Sequence, residues 1–193
     1  MVKLLLIASF TLTALIGSAQ SVFFKTGNIN STLPVTGFPS LFYANYHPYV
    51  EGGYEFLLKE WDKSSLFQSV GVGYFYHRFM QHGIPLTTEA RWVYTAPETF
   101  HPYVALGGGY LHAIPISKQL VLNDEGEYER AGGVGRSQAT FSLSLGTDIQ
   151  VSSWTFLAEY KMLFQTPFVK SYVPLLPYGI VQVGVRFQLP QSE

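Results

Sequence analysis

Apolar and polar residues alternate along most of this chain, and the alternation is clearest in residues 137–164. From Ala139 to Ile149 every second residue is apolar except Thr147, and the residues between them are polar or glycine. From Trp154 to Phe164 every second residue is again apolar. Side chains of a strand point alternately to its two faces, so a period of two predicts strands with one apolar and one polar face.

A break in this alternation predicts a hairpin whose two-residue loop is Ser152–Ser153. Such a loop pairs Gly146 with Glu159 and Ser144 with Lys161. In that register the polar faces of the two strands coincide, as cross-strand partners must. Long strands with aromatic side chains on one face and charged side chains on the other are typical of a wall between lipid and a polar lumen.

The same alternation predicts eight strands, at residues 20–30, 49–59, 66–79, 86–94, 103–114, 137–150, 154–164 and 178–189. The connections between them are short at 60–65, 80–85, 95–102 and 151–153, and long at 31–47, 115–136 and 166–177. Outer-membrane barrels have an even number of strands, with short periplasmic turns and longer outside loops. By this rule the loop at 80–85 is an exception, because it is short but lies outside. The predicted fold is all-β: an antiparallel up-and-down transmembrane β-barrel.

The N-terminal residues predict a cleavable signal peptide. Lys3 precedes an apolar run over residues 4–17, and Gly17 and Ala19 are small residues at the two positions that a signal peptidase recognises. The run is too short for a transmembrane helix, which needs about 20 apolar residues. We therefore expect a signal peptide at residues 1–19, a single barrel domain at 20–193, and a location in the outer membrane.

Composition supports a lipid-facing protein and excludes several other classes. Aromatic residues make up 16% of the chain and charged residues only 13%. The 12 basic and 13 acidic residues leave a net charge of −1, so no basic surface is available for nucleic acid. The absence of cysteine excludes a disulfide framework and thiolate chemistry.

The chain resembles the small outer-membrane β-barrel family, the OmpA-barrel-like and OmpX-like proteins. The resemblance lies in the alternating strands, the Gly-rich segment YVALGGGY (103–110) and the closing segment VGVRF (183–187). It implies contact with outer-membrane lipid and lipopolysaccharide. It also implies that the outer-membrane assembly machinery recognises the last strand, which ends at Phe187. The family likeness is architectural and carries no catalytic motif.

Alternate residues of a strand face opposite sides, and this alternation places one set of ionisable side chains in the lumen. The set is Glu51, Glu55, Glu89, Arg91, Asp148, Glu159, Lys161 and Arg186. Three bases face five acids in this set. These residues could line a conduction path, or they could fill the barrel. Because an eight-stranded interior is just wide enough for side chains, we expect a mostly filled polar lumen. In the predicted register Gly146 leaves room for Glu159 but gives it no partner, and Lys161 is the nearest base.

The three tryptophans, Trp61, Trp92 and Trp154, fall at strand ends on the predicted periplasmic rim. Tryptophan is enriched where a membrane meets water, because its ring is apolar and its N–H is polar. The three residues are therefore predicted to form an aromatic girdle.

The candidate catalytic residues are His112 and Ser137. Both point outward by parity, near the outer ends of adjacent strands. An enzyme that acts on the acyl chains of lipid A would place a nucleophile and a base there. No carboxylate at a defined spacing and no G-x-S-x-G elbow accompany them.

A metal site or cofactor is not predicted. His77 and His82 flank one short loop, while His47 and His101 lie elsewhere, so parity scatters the histidines over both ends of the barrel. The acidic run at residues 124–129 is typical of a solvated loop, although it could bridge divalent cations to lipopolysaccharide phosphates.

Three functions remain compatible with the sequence. The first is a non-enzymatic outer-membrane barrel that acts through loops 31–47, 115–136 and 166–177 in envelope integrity, adhesion or partner docking. The second is an outer-membrane enzyme that modifies lipid A. The third is a soluble periplasmic barrel that binds a lipophilic ligand, and it would require the apolar faces of the strands to point inward.

Overall fold

A computed structural model describes residues 20–117, 120–122, 126–130, 134–151, 154–168 and 174–190. The strands in chain order are β1 (Ser21–Ser31), β2 (Pro48–Trp61), β3 (Ser64–His77), β4 (Gln81–Tyr94), β5 (Phe100–Pro115), β6 (Leu120–Leu122), β7 (Tyr128–Arg130), β8 (Arg136–Val151), β9 (Trp154–Thr166) and β10 (Leu176–Gln188). One short helix, α1, spans Ser40–Tyr43. None of the helices in the described part of the chain has the length and apolar character needed to span a membrane.

Eight of these strands form a closed antiparallel barrel in the order β1-β10-β9-β8-β5-β4-β3-β2. Each neighbour in space is a neighbour along the chain once the β6–β7 hairpin is set aside, and β1 closes the barrel against β10. Closure leaves the barrel without an unpaired edge, so every barrel strand has hydrogen-bonding partners on both sides. The predicted fold class is confirmed.

The β8–β9 register confirms the predicted hairpin pairing. Gly146 lies opposite Glu159, and Ser144 lies opposite Lys161. The predicted loop residues Ser152 and Ser153 lie outside the described residues, as does the predicted signal peptide at 1–19. Both stay predictions.

The prediction of a loop at 80–85 is wrong, because β4 begins at Gln81. Gly83 and Pro85, which fall in the predicted loop, both pair within the sheet. The pairing of β3 with β4 is interrupted between Val72–Leu86 and Phe75–Gly83. Proline has no N–H to donate to a ladder, so the sheet accommodates Pro85 by a local loss of pairing and not by ending the strand.

The long loops contain secondary structure that alternation did not predict. The segment 31–47 includes α1, whose Leu41 is buried against the barrel. The segment 115–136 includes the separate β6–β7 hairpin. Strands also extend into the predicted short connections: β2 runs to Trp61, and β5 begins at Phe100.

We define two rims by their contents. The termini rim holds the first residue of β1, the last residue of β10 and the β2–β3 and β4–β5 connections. The loop rim holds the β3–β4 turn and the described residues of the segments 32–47, 116–135 and 167–175. This division agrees with the predicted alternation of short and long connections.

Apolar side chains cover the outside of the barrel, as the alternation predicted. The outward set on the strands is exposed and includes Phe24, Val72, Leu106, Phe141, Leu145 and Val183. This arrangement contradicts the hypothesis of a soluble barrel with an apolar interior facing a lipophilic ligand. Such a barrel would expose its charged residues, whereas here the charged lumenal side chains are the buried ones.

Candidate functional site in the barrel lumen

The interior of the barrel has two halves of different chemistry. The half near the termini rim is charged. The half near the loop rim is an apolar core formed by Ile29, Tyr49, Phe75, Leu111, Ala113, Leu163, Tyr178 and Ile180. The expectation of a mostly polar lumen therefore holds for only one half of the barrel, because Phe75, Leu111 and their neighbours fill the other half.

The first charged group, which we name the lysine cluster, contains Lys25, Lys161, Glu51, Glu89 and Glu159. The Lys161 Nζ lies 2.8 Å from Glu51 and 3.1 Å from Glu89. The Lys25 Nζ lies 2.8 Å from Glu159, and Lys161 is 3.7 Å from the same carboxylate. The Lys161 ammonium group therefore contacts three carboxylates, and its 2.8 Å hydrogen bond to Glu51 has the length of a strong, charge-assisted bond.

The second group, the arginine cluster, contains Arg91, Arg186, Glu55 and Asp148. Arg91 donates from Nε and Nη2 to the two oxygens of Glu55, at 2.9 and 2.7 Å, and from Nη1 to Asp148. Arg186 donates from Nη2 to Asp148 at 2.8 Å, and its Nε lies 3.0 Å from Glu55. The planar guanidinium of Arg91 thus fixes two carboxylates that belong to different strands.

Tyr103 joins the two clusters. Its hydroxyl donates to Glu159 at 2.6 Å, and the Arg91 guanidinium lies 4.8 Å from the centre of its ring. Glu159 also accepts a hydrogen bond from the Gln182 amide at 2.6 Å. The charged residues therefore form one connected network across β1, β2, β4, β5, β8, β9 and β10.

The structure places all eight predicted lumenal residues in this network and adds Lys25, which sequence reasoning missed. The predicted count of three bases for five acids is therefore wrong, because Lys25 makes four. The expectation that Glu159 lacks a close partner is also wrong, since Lys25, Tyr103 and Gln182 all reach it. The predicted strand at 20–30 already placed Lys25 on the face opposite Val22 and Phe24, so the alternation carried the signal, but Lys25 was not included in the lumenal set.

Neutral donors satisfy the remaining carboxylate oxygens. Thr87 donates to Glu51 at 3.2 Å, and Ser142 donates to Glu89 at 2.7 Å. All five carboxylates therefore have hydrogen-bond or ion-pair partners although only four bases face them. Buried charges require such partners. A cavity of about 10 Å³ between Lys25, Arg91 and Arg186 is as large as roughly one water.

Glutamine side chains lie at the loop-rim side of the apolar core. The Gln81 amide donates to Gln165 at 2.7 Å and to the Tyr178 hydroxyl at 3.1 Å. Gln165 in turn donates to Gln138. This layer is fully buried and links β4, β8, β9 and β10, so it closes the barrel above the apolar core.

His47 and His77 stack at the loop rim, with ring centres 4.0 Å apart and planes 12° apart. His101 lies at the opposite rim, near the start of β5, so the histidines do lie at both ends of the barrel, but the stacking of this pair was not predicted. His47 Nδ1 hydrogen-bonds to Asn30 Oδ1 at 2.7 Å, so Nδ1 carries the proton because an amide oxygen only accepts. Burial lowers the pKa of His47, and the positive charge of Arg78 acts in the same direction.

The pair lies beneath a lid that we define as residues 32–46, including α1. Asn28 donates to the backbone carbonyl of Leu41 at 2.7 Å and accepts from the backbone N–H of His47 at 2.8 Å. Asn30 donates to the carbonyl of Asn45 at 3.3 Å. Two asparagines of β1 therefore hold the lid over the loop rim.

The candidate catalytic residues His112 and Ser137 are cross-strand partners, but a third residue lies between their side chains. The Tyr110 hydroxyl is 3.0 Å from Ser137 Oγ and 3.2 Å from His112 Nδ1. His112 Nε2 donates to the carbonyl of Val134 at 2.7 Å, which leaves Nδ1 as an acceptor. The compatible hydrogen-bond direction runs from Ser137 through Tyr110 to His112. Sequence reasoning missed Tyr110.

The three tryptophans lie on the termini rim, exposed by 43–45%. Trp61 is the last residue of β2, Trp92 lies near the end of β4, and Trp154 is the first residue of β9. Phe187 packs against Trp154 with ring centres 4.0 Å apart. Within the described residues, no group of three or more His, Cys, Asp or Glu side chains could hold a metal ion.

Comparison with solved structures gives the fold. The chain is similar to a de novo designed transmembrane β-barrel, with 14% identity, a TM-score of 0.51 and coverage of 89% of this chain and 96% of that one. It is similar to Neisserial surface protein A, with 12% identity, a TM-score of 0.50 and coverage of 90% and 97%. It is also similar to the outer membrane enzyme PagL, with 8% identity, a TM-score of 0.52 and coverage of 88% and 99%.

The chain has the fold of a small outer-membrane β-barrel. Its exposed apolar belt and buried charged lumen fit that location in the membrane. No family model matches the sequence, and no curated protein matches it either. Because one of these barrels is an enzyme and the identities are low, the fold by itself does not assign an activity.

Proposed function

We propose that this protein is a non-enzymatic integral outer-membrane barrel that does not conduct solutes and acts through its loop rim in envelope integrity, adhesion or partner docking. The observation that carries this proposal is the closed lumen. The ion network, the apolar core and the glutamine layer occupy the interior in succession, and each links strands from different sides of the barrel. A hydrated ion would have to disrupt all three.

The lid supports a role for the loop rim in binding. Leu33, Val35, Phe42, Tyr43 and Tyr46 are exposed there, each by 66–79%. Exposed apolar and aromatic clusters on a soluble surface mark interaction sites. The long connections belong to this rim, which by the rule for outer-membrane barrels faces the outside of the cell.

Conductance of the purified protein in planar bilayers tests the closed lumen. We expect no steady open state for the wild-type protein. A stable conductance of porin size would refute the proposal, whatever the loops bind.

The role of the lid is tested separately in cells. A variant with Phe42, Tyr43 and Tyr46 replaced by Ser should lose adhesion to surfaces or sensitise the envelope to detergent. The control is Leu145→Phe, which changes an outward side chain of β8 and leaves the lid and the lumen unaltered. It should behave as wild type. Equal phenotypes for the lid variant and wild type would remove the lid from the proposal.

A second candidate function is an outer-leaflet hydrolase, which the Ser137–Tyr110–His112 hydrogen-bond chain favours. In such an enzyme Ser137 would be the nucleophile and His112 the base, with Tyr110 relaying the proton between them. The acyl chains of lipid A are the substrate class that this face would meet. Mass analysis of lipid A from cells with wild type or Ser137→Ala tests it, and only a change in acyl-chain number that Ser137→Ala abolishes would support the enzyme.

A further inference from the structure

The stacked histidines at the loop rim form the joint between the lid and the barrel. His47 is the single residue between the lid and β2, and His77 is the last residue of β3. Both are almost fully buried, with exposed fractions of 3% and 4%. Within the described part of the chain, neither His47 Nε2 nor His77 Nδ1 has a hydrogen-bond partner. Buried polar atoms normally have one, so these two nitrogens are exceptions that point to a role.

The geometry of the stack favours a proton over a metal ion as the species that these nitrogens bind. The lone pair of an imidazole nitrogen lies in the plane of its ring. Because the ring planes are 12° apart and the ring centres 4.0 Å apart, the lone pairs lie in nearly parallel planes and do not converge on one ion. Since His47 Nδ1 already carries a proton, Nε2 is the atom that would accept a second one.

The chain around the pair offers no negative charge to balance a proton. Residues 26–50 and 70–88, the segments that carry His47 and His77, contain no acidic residue. Arg78, in the turn directly after His77, adds a positive charge that acts on His47. A protonated ring here would therefore be a buried positive charge beside another positive charge.

The remaining neighbours of the pair do not change this balance. The adjoining elements place neutral side chains around it, namely Asn30 of β1, Tyr49 of β2, Phe79 of the β3–β4 turn, Gln81 of β4 and Tyr178 of β10. Arg136 adds positive charge near Tyr178. Glu51, the first acidic residue along β2, already belongs to the lysine cluster in the other half of the barrel. Protonation of both rings would add direct repulsion between them.

His47 is also the residue through which the lid is attached to β1. It donates its backbone N–H to Asn28 Oδ1 at 2.8 Å and its ring Nδ1–H to Asn30 Oδ1 at 2.7 Å. The same two asparagines donate to the lid carbonyls of Leu41 and Asn45. Movement of the His47 ring toward water would therefore break its bond to Asn30 and disturb both lid contacts.

We propose that residues 41–46, the second half of the lid, open when the stacked pair takes up protons, which makes the lid a pH-sensitive cover of the loop rim. The first half has attachments of its own and stays in place. The Thr32 N–H donates to the carbonyl of Pro177 at 3.3 Å, and the Phe38 ring packs edge-on against Tyr160 with ring centres 5.0 Å apart.

The direction of the response follows from proton binding in the two states. Burial lowers the pKa of His47 while the lid is closed, whereas an imidazole exposed to water has a pKa of about 6.5. The open state therefore binds protons more readily, and it is favoured as the pH falls below about 6.5. The biological use of this opening rests on the proposed role of the loop rim in binding, but the opening itself does not.

Distances between two spin labels test the proposal. The chain has no cysteine, so each introduced cysteine is a unique attachment site. One label is placed on the lid by Tyr43→Cys and the other on the outer wall of β4 by Leu86→Cys, both at exposed positions. We expect one narrow distance distribution at about pH 8 and a second, broader population at about pH 5, which disappears when the pH is restored. The open fraction should rise with pH as expected for uptake of about two protons per opening.

Substitution of the pair separates its protons from the lid contacts. His77→Phe keeps a ring stacked on His47 and leaves the hydrogen bonds of His47 to β1 in place. We expect its lid to be closed at about pH 8 and to open with uptake of about one proton. Adding His47→Phe should abolish the pH dependence. His82→Phe, the matched control on the same rim but outside the pair, should keep the two-proton response.

A second label pair, at Leu106→Cys and Val183→Cys, reports on the barrel wall, where both positions are exposed. Its distance should be the same at both pH values, and a change would overturn the proposal because acid would then loosen the whole barrel. A lid with both histidines that stays closed at about pH 5 would also overturn it, as would a two-proton response in His77→Phe. These readouts require neither adhesion nor conductance, so the proposed function and the pH response fail separately.

Discussion

At the scale of single residues, Lys161 is a buried base surrounded by carboxylates. Its ammonium group is fully buried and contacts Glu51, Glu89 and Glu159 within 3.7 Å. Removing it would leave Lys25 as the one base of the lysine cluster. Breaking a buried ion pair by removing one partner is costly because a desolvated charge is left behind.

We expect Lys161→Met to lower the free energy of unfolding by about 3–5 kcal/mol. Equilibrium urea unfolding in detergent or lipid vesicles measures this change. Lys59→Met, an exposed position on the termini rim, should stay within about 0.5 kcal/mol of wild type. A Lys161→Met protein as stable as wild type would mean that the network does not hold the barrel together.

His47 provides a second prediction at this scale. Burial lowers its pKa in the folded protein, so the unfolded chain binds a proton more readily. The contribution of His47 to the free energy of unfolding is therefore fully present above the pKa of the unfolded chain, about 6.5. This contribution is lost as the pH falls from there toward the lowered pKa of the folded protein. Melting temperatures should decrease over this window in wild type and decrease less in His47→Phe, which keeps an aromatic ring against His77. Parallel pH profiles for the two proteins would contradict this role.

At the scale of elements, β8 demonstrates how one strand separates lipid from lumen. Leu143 points outward at mid-strand, while its neighbour Ser142 is buried and donates to Glu89. The two positions are adjacent in sequence and differ completely in surroundings. A similar alternation of buried and exposed residues is clear in β4, from Gln81 to Tyr94.

Leu143→Arg should block barrel assembly, because an arginine at the lipid midplane costs roughly 2–4 kcal/mol. Ser142→Arg should fail for a different reason, since the lumen beside Glu89 has no room for the longer side chain. The two variants are refolded into lipids of increasing chain length, and the folded fraction is measured from the change in gel mobility on heating. Only the folding defect of Leu143→Arg should depend on bilayer thickness, because only that side chain faces lipid. Normal folding of Leu143→Arg in membranes would reverse the inside–outside assignment.

At the scale of the whole molecule, barrel closure depends on β10, which pairs with both β1 and β9. Phe187 near its end packs on Trp154 and faces outward at the termini rim. This position agrees with the proposed recognition of the last strand by the assembly machinery. Contact with Trp154 gives Phe187 a packing role as well.

We expect Phe187→Ser to reduce the amount of assembled protein in cells more than it reduces refolding in vitro, where no machinery is present. Val183→Ser, also outward on β10, is the matched control and should affect both measurements alike. An equal loss in cells and in vitro for Phe187→Ser would assign the residue to packing alone.

The sequence by itself determined the number of barrel strands, their antiparallel order, the β8–β9 register and which face meets lipid. These features follow from a period of two and from loop length, and both are local properties of the chain. Pro85 shows the limit of local rules, because pairing with Leu111 of β5 continues β4 through a residue type that often ends a strand.

Only the tertiary structure decided which lumenal residues meet. Lys25 and Glu159 are 134 positions apart along the chain, and they become partners because β1 closes on β10 and brings β9 within reach. The stacking of His47 on His77, the Tyr110 bridge between Ser137 and His112, and the division into a charged half and an apolar half have the same origin. Each depends on how the strands are staggered around a closed barrel, and alternation along a single strand carries no information about that stagger.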